Sequence, residues 1–289
     1  MPQPLTRIVD QLKREPSRTG SIVITVFGDA IVPRGGSVWL GTLLEFFDGL
    51  DIDSGVVRTA MSRLASDGWL ERNKVGRNSF YRLDKKGRQT FDTATKHIYD
   101  PPPSDWTGRF ELLLIGNGED RDASRDALKN AGFGSPLPGV WVAPSGAPVP
   151  EEAAGAIRLE VSAEDDSGRR LLSESWPLQR TADAYKKFMK TFEPLRGSIG
   201  RGESLADADA FTARILLIHH YRRVVLRDPL LPTALLPPDW PGRAARQLCG
   251  EIYRGLLPVS EQWLDHHASN EDGPLPRPDR ALARRFDGS

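Results

Sequence analysis

The chain has 289 residues, with 39 Lys and Arg against 39 Asp and Glu and 39% of its residues apolar, the fractions of a soluble globular protein long enough for two or three domains with cores of their own. No apolar run approaches transmembrane length, the opening residues lack the uninterrupted apolar core of a secretory signal, and the single cysteine, Cys249, excludes an intramolecular disulfide and a cysteine-based zinc site. A cytoplasmic location is expected, and the zero net charge does not argue against a nucleic-acid partner, because local clustering of charge decides that.

In chain order, Ile8 and Leu12 mark a short amphipathic piece before a Ser-Arg-Thr-Gly break. The β-branched run from Ser21 to Val32 has the propensity of a strand. It is nevertheless expected to be helical, since the elements after it need a first helix to pack on. Ser37 is expected to cap a helix from Val38 to Leu50, with Trp39, Leu43, Leu44, Phe46 and Phe47 on its apolar face. The short turn Asp51-Ile52-Asp53 then leads into the stretch that organises the chain, Ser54 to Asp84.

Val57, Ala60, Met61 and Leu64 recur there at helical spacing, leaving Arg58, Thr59, Ser62, Arg63 and Ser66 on the opposite face. Gly68 supplies the left-handed residue that ends such a helix near Asp67. Two alternating runs, Trp69 to Arg72 and Ser79 to Leu83, flank Asn73-Lys74-Val75-Gly76-Arg77-Asn78, whose Gly and Asn suit a hairpin tip. From Ser54 to Asp84 six basic residues stand against three acidic ones. Helix, turn, helix and basic hairpin together predict a winged helix-turn-helix that binds double-stranded DNA. A solvated helix with a basic hairpin is the blander reading of the charges alone.

Asp84 is expected to cap a helix from Lys85 to Tyr99, and Asp100 to Ser104 reads as a stiff linker at a domain boundary. The next segment offers a strand at Phe110 to Gly116, a helix at Glu119 to Ala131, and strands at Gly139 to Pro144 and Ile157 to Val161, which suggests a small ferredoxin-like α+β domain. The acidic stretch Ala163 to Arg170 reads as an exposed loop. Helices are expected at Thr181 to Phe192, Ala206 to Leu226, Arg243 to Leu257 and Ser260 to Ala268, with a mobile tail from Glu271 onward. The predicted fold is therefore multidomain α+β: a winged helix-turn-helix over 1–100, a ferredoxin-like domain over 101–175, and a mainly helical domain over 176–289 for dimerisation, effector binding or both.

The segments GDAIVPRGG (28–36), VRTAMSRLASDGWL (57–70), GRNSFYRL (76–83), GFGSPLPGVWVAP (132–144) and HHYRRVVLRDPLLPTALLPPDWPGRAAR (219–246) resemble the PaaX family, the repressors of phenylacetate degradation. The resemblance spans essentially the whole chain, and the last motif is the most specific. It implies a cytoplasmic bacterial repressor that binds a palindromic operator as a homodimer and is released by an aromatic acyl-CoA, typically phenylacetyl-CoA. It implies no catalytic activity, no bound metal or cofactor and no membrane partner.

The expected base-reading residues are Arg58, Thr59, Ser62 and Arg63, with Arg72, Lys74, Arg77 and Asn78 as contacts from the wing. Arg63 and Arg82 have Asp67 and Glu71 as alternative ion-pair partners. A CoA thioester needs arginines beside an aromatic-lined cavity, which makes Arg214, His219, Arg222, Arg223 and Trp240 the ligand candidates. His219 and His220 are adjacent on a helix, so they diverge and do not chelate one ion; one buried and one exposed histidine is the plainer reading. The sequence lacks a nucleophile elbow, a zinc-protease helix, a phosphate-binding loop and a dinucleotide fingerprint. A metal-dependent nuclease in the central domain, drawing on Glu111, Glu119, Asp120 and Asp122, is the alternative.

Overall fold

A computed structural model describes residues 1–15, 17–101, 106–116, 121–162 and 166–287. The chain divides into two compact units. One comprises Met1–Pro101, Lys186–Arg223 and Arg243–Ser289; the other comprises Pro102–Tyr185 and Val224–Gly242. Of the expected last segment, 186–223 and 243–289 fall in the unit of the first segment, and 176–185 and 224–242 in the other.

In the first unit, α1 (Gln3–Arg14) buries Leu5, Ile8, Val9 and Leu12, which gives the N-terminal piece a definite place. The β-branched run is helical, as α2 (Thr19–Val26) followed by a π turn at Phe27–Ile31 and a 3-10 turn at Val32–Arg34. Ile22, Val23, Val26 and Phe27 are all fully or almost fully buried, and this tertiary burial outweighs the strand propensity of valine and isoleucine. Ser37 does not cap a helix: Ser37–Trp39 is strand β1, and α3 begins only at Leu40 and ends at Asp48. The hydroxyl of Ser37 donates to Glu271 at 2.5 Å.

After α4 (Ser54–Ser66) come β2 (Leu70–Val75) and β3 (Asn78–Leu83), and the sheet order is β1-β3-β2. β1 pairs with β3 from Ser37 opposite Arg82 to Trp39 opposite Phe80, so the two later strands are anchored to the chain before α3. Helix α5 (Lys85–Tyr99) starts where expected, with Asp84 accepting from the Lys85 amide at 2.6 Å.

The second unit holds a four-stranded antiparallel sheet of β4 (Arg109–Leu114), β5 (Gly134–Leu137), β6 (Val140–Pro144) and β7 (Ile157–Ser162), in the order β5-β6-β4-β7. Strand β5 is additional to the three strands expected; Gly-Ser-Pro-Leu carries no strand signal of its own. Helix α6 (Arg121–Asn130) joins β4 to β5. One face of the sheet packs Leu113, Trp141 and Ala143 with Leu128 and Phe133, and the other packs Phe110 and Val142 with Leu172, Trp176 and Leu231. Part of the acidic stretch is helical, since α7 runs over Asp166–Ser175.

Helices α8 (Leu178–Gly200), α9 (Asp207–Val225) and α10 (Gly242–His267) complete the chain, the last fusing two expected helices through an internal Pro258. In the first unit Phe46 of α3 lies edge-on to Phe211 of α9, and Phe211 stacks on Trp263 of α10 at 4.4 Å. The C-terminal tail is packed, not mobile. Leu275, Leu282 and Phe286 are buried, and the Asp279 amide donates to the Pro33 carbonyl at 2.8 Å. The expected linker at Asp100 to Ser104 lies mostly outside the described residues, as do Glu119 and Asp120.

Candidate nucleic-acid interface

Helix α4 is built from both ends by local chemistry. Asp53 caps its start by accepting from the Gly55 amide at 2.7 Å. At its end Gly68 has φ of 72°, the Trp69 amide donates to the Leu64 carbonyl at 2.9 Å, and the Gly68 amide donates to Ala65 at 3.1 Å. Those two bonds are a Schellman motif, which turns the chain directly into β2. Val57 and Met61 are fully buried and fix the helix rotation. Arg58, Thr59, Ser62 and Arg63 are consequently exposed together.

The hairpin closes with a two-residue loop between Val75 and Asn78, in which Gly76 takes φ of 60°. Positive φ at the first loop position matches the twist of the flanking strands and favours glycine there. Arg72, Lys74, Arg77 and Asn78 are all exposed on this hairpin. Glu71 is engaged by Arg82, with Nε to Oε2 at 3.1 Å, so it does not neutralise the tip. Among the described residues Arg58, Arg63, Lys74 and Arg77 have no ion-pair partner. Arg72 instead donates to Ser79 Oγ at 2.8 Å, and Thr59 donates to the Gly55 carbonyl at 2.8 Å. Four uncompensated cations on one helix and one hairpin make a surface suited to a polyanion.

The five ligand candidates are divided between the two units. Arg214, His219, Arg222 and Arg223 belong to the first unit and Trp240 to the second, where Trp240 lies edge-on to Tyr185 at 6.1 Å. Arg214 is fully buried and already committed: Nε donates to Asp29 Oδ2 at 2.6 Å, Nη2 to the Asp29 carbonyl at 2.9 Å, and Nη1 to Ser260 at 3.2 Å and to Glu261. Burial opposes its charge, and the carboxylates of Asp29 and Glu261 overcome that cost and hold its pKa above the ordinary arginine value. Four of the five N–H groups of Arg214 are thus engaged within the fold, and every one of its nitrogens donates to a buried partner.

His219 is fully buried between Thr25 Oγ1 at 3.1 Å and Ser17 Oγ at 3.0 Å. Burial, aided by the Arg222 and Arg223 cations, pushes its pKa down to about 3. His220 is brought down to about 4, again mainly by burial, so neither ring is an obvious cation at neutral pH. Arg222 is half-buried and donates from Nη2 to the Ser21 hydroxyl at 2.8 Å and carbonyl at 2.9 Å. Arg223 is exposed and donates to Ser17 at 3.0 Å.

Residues that sequence reasoning did not single out as individual sites form the polar centre of this unit. Asp29 Oδ1 accepts from Tyr99 at 2.6 Å, Tyr253 at 3.1 Å and Arg285 at 2.9 Å. Glu261 bridges Arg214 and Arg34, and Arg34 also reaches Asp265 at 2.8 Å. Asp29 and Arg34 both lie in the GDAIVPRGG segment, so that motif was a signal, without its partners.

The class defined by this arrangement is a basic helix and hairpin carried on a helical body. Residues 18–87 match the family model described as PaaX-like protein, and residues 176–266 match that described as PaaX-like protein C-terminal domain. The chain is also 34% identical over 284 residues to the transcriptional repressor PaaX of Escherichia coli strain K12, covering 93% of this chain and 90% of that one. The chain belongs to the PaaX family. Among solved structures, an uncharacterized protein from Mycobacterium tuberculosis aligns with a TM-score of 0.52 at 21% identity, over 76% of this chain and 89% of its own, which is a likeness of fold alone.

Proposed function

We propose that this chain is a DNA-binding transcriptional repressor of the phenylacetate-degradation type, acting as a homodimer on a palindromic operator and released by an aryl-acyl-CoA such as phenylacetyl-CoA. The observation that carries the reading is the joint exposure of Arg58, Arg63, Lys74 and Arg77 without acidic partners among the described residues. In this reading α2, α3 and α4 with β1 to β3 are a winged helix-turn-helix: α4 enters the major groove, and the β2–β3 hairpin is the wing that meets phosphate or minor groove. The strand order of the second unit's sheet, 4-1-3-2 in chain terms, supports a ferredoxin-like reading of that unit. The E. coli relative is named a transcriptional repressor, and the same role is proposed here.

The thioester acts by differential affinity for two states of the dimer, for which about 1–3 kcal/mol of coupling suffices. With Arg214 committed to Asp29, the phosphates of the thioester would be met by Arg222 and Arg223 of the first unit. The regulator is proposed to work in the cytoplasm without enzymatic activity, as the name of the E. coli relative suggests, and no helix among the described residues is long and apolar enough to cross a membrane. The nuclease reading is not favoured. Glu111, the carboxylate within the first strand of that sheet, is engaged by Arg158 at 2.6 Å.

The test is a titration of the purified protein against DNA upstream of its own gene, at two salt concentrations, with and without phenylacetyl-CoA. Salt-sensitive specific binding that the thioester reverses is the expected result. Specific binding indifferent to the thioester would overturn the effector, and no specific binding would overturn the repressor reading.

A further inference from the structure

Helix α4 exposes an apolar side chain in its first turn. Val56 is 50% exposed, while its neighbour Val57 is fully buried. An exposed helical position favours alanine, glutamate or lysine over a β-branched residue. One exposed valine alone is unremarked on a protein surface, and it is the setting that gives this one a role. At about 100° per residue, Val56, Thr59 and Arg63 stand in one row along the helix, at i, i+3 and i+7, with Arg58 and Ser62 in the adjoining row. All five are exposed, and neither arginine has an acidic partner among the described residues. Val56 therefore shares the face that suits a polyanion.

The side chains that α4 lacks narrow what this face can read. Its 13 residues, SGVVRTAMSRLAS, include no Asn, Gln, Asp or Glu. The bidentate partner of adenine and the acceptor for the cytosine amine are both missing, whereas Arg58 and Arg63 can take guanine. The serine hydroxyls bond to several base edges and discriminate little. Thr59 spends its hydroxyl proton on the Gly55 carbonyl at 2.8 Å, which withdraws that proton from a base. What remains for recognising an A·T pair in the major groove is its one apolar feature, the C5-methyl of thymine.

Local geometry suits Val56 to that methyl. It is the third residue of the helix, in the N-terminal turn that a recognition helix presents to base edges. Gly55 before it is exposed and has no side chain, so the backbone can approach the groove closely. The cap keeps that position small, because a Cβ on residue 55 would lie 2.9 Å from Asp53 Oδ1.

We propose that Val56 is a specificity-determining residue, which reads the C5-methyl of one thymine in each operator half-site by apolar contact. The inference rests on the winged-helix reading of α4 and goes beyond it by naming the base and the group recognised.

Replacing thymine by deoxyuridine removes that methyl and leaves base pairing and every hydrogen-bonding group of the duplex in place. The full chain is titrated against the upstream fragment it binds, remade with each thymine replaced in turn. Wild type is expected to lose about three- to tenfold in affinity at one thymine of each half-site, the worth of one methyl-sized apolar contact. Val56→Ala is expected to bind the thymine duplex as weakly as wild type binds the deoxyuridine one, and to lose nothing further when that methyl is removed. Its salt slope should match wild type, since no charge is lost, and its circular dichroism should be unchanged, since the side chain is exposed and alanine is the better helix former. Val56→Ile, which keeps the apolar contact, is expected to stay sensitive to the methyl. Specific binding with no methyl-sensitive thymine, or a V56A as sensitive as wild type, would overturn the inference and leave the repressor reading intact. Absence of any specific binding would overturn that reading and the inference with it.

Discussion

Arg214 Nε and Asp29 Oδ2 lie 2.6 Å apart with neither residue exposed to solvent by more than 1%, although 185 positions separate them in the chain. Asp29 sits in the π turn that ends the first helix of the reading head, and Arg214 lies in the middle of α9. With Arg34, Glu261, Asp265 and Arg285 they form a balanced set of three carboxylates and three guanidiniums. Breaking such a set from one side leaves a charge buried without its partner, which is more damaging than replacing the pair with apolar groups.

Asp29→Asn is therefore expected to destabilise the first unit by about 3–5 kcal/mol, by stranding Arg214 and Arg285. Denaturant unfolding measures it. Asp29→Leu combined with Arg214→Met should recover part of the loss, because the pair then vanishes together. A midpoint for D29N equal to wild type would mean that the network contributes nothing to stability.

The tail predicts a second effect. Phe286 is fully buried among Tyr99, Tyr221 and Tyr253, with the Arg246 guanidinium 5.3 Å from its ring centre, and Arg285 donates to the Gly28 and Asp29 carbonyls at 3.1 and 2.7 Å. Phe286→Ala should cost about 3–5 kcal/mol, as for a buried aromatic removed from a packed core. Thermal unfolding is the measurement, and a variant within about 1 kcal/mol of wild type would contradict the packed-tail picture.

What the sequence reveals and conceals follows the range of the interactions. Helix α4 and its hairpin are legible because Asp53, Gly68 and Gly76 act on backbone within a few residues of themselves. The run from Ile22 to Phe27 is ambiguous in isolation, and its helical state is decided by burial against distant helices. Arg214 reads as an anion-binding arginine because nothing near it in sequence discloses Asp29. The tail reads as mobile because Arg285 is 256 positions from the aspartate that holds it. Strand β5 is concealed for a different reason: Pro136 and Gly134 are poor strand formers, and it is a chain edge completed by β6 alone.

The buried histidines set a pH dependence with a definite sign. Unfolded imidazoles take up protons near 6.5, whereas folded His219 and His220 refuse them until about 3 and about 4. Across that window the unfolded state binds more protons, so stability is fully present above 6.5 and declines as the pH falls. Each ring contributes a slope of up to about 1.4 kcal/mol per pH unit. His219→Gln should flatten the decline between pH 6 and about 4.5, read from urea midpoints across that range. An unaltered slope would show that His219 is not the titrating group.

The reading head can be tested without disturbing the fold. Arg58 and Arg77 are exposed and unpaired among the described residues, whereas Arg82, on the same hairpin, is held by Glu71. If the first two neutralise operator phosphates, Arg58→Ala and Arg77→Ala should each reduce the slope of log affinity against log salt by about 1 and weaken binding roughly tenfold or more. Arg82→Ala should change the slope less, because its charge is already compensated. A shared loss of affinity with no change in slope would point to disturbed folding, and circular dichroism separates that outcome. If a contact is to a base edge instead, the loss falls on one operator position: Arg58→Ala would relax preference for a guanine there by about 1–3 kcal/mol, while Arg77→Ala at the hairpin tip would weaken all sequences alike. Binding of the two variants to a set of singly substituted operators distinguishes the helix that reads from the wing that clamps.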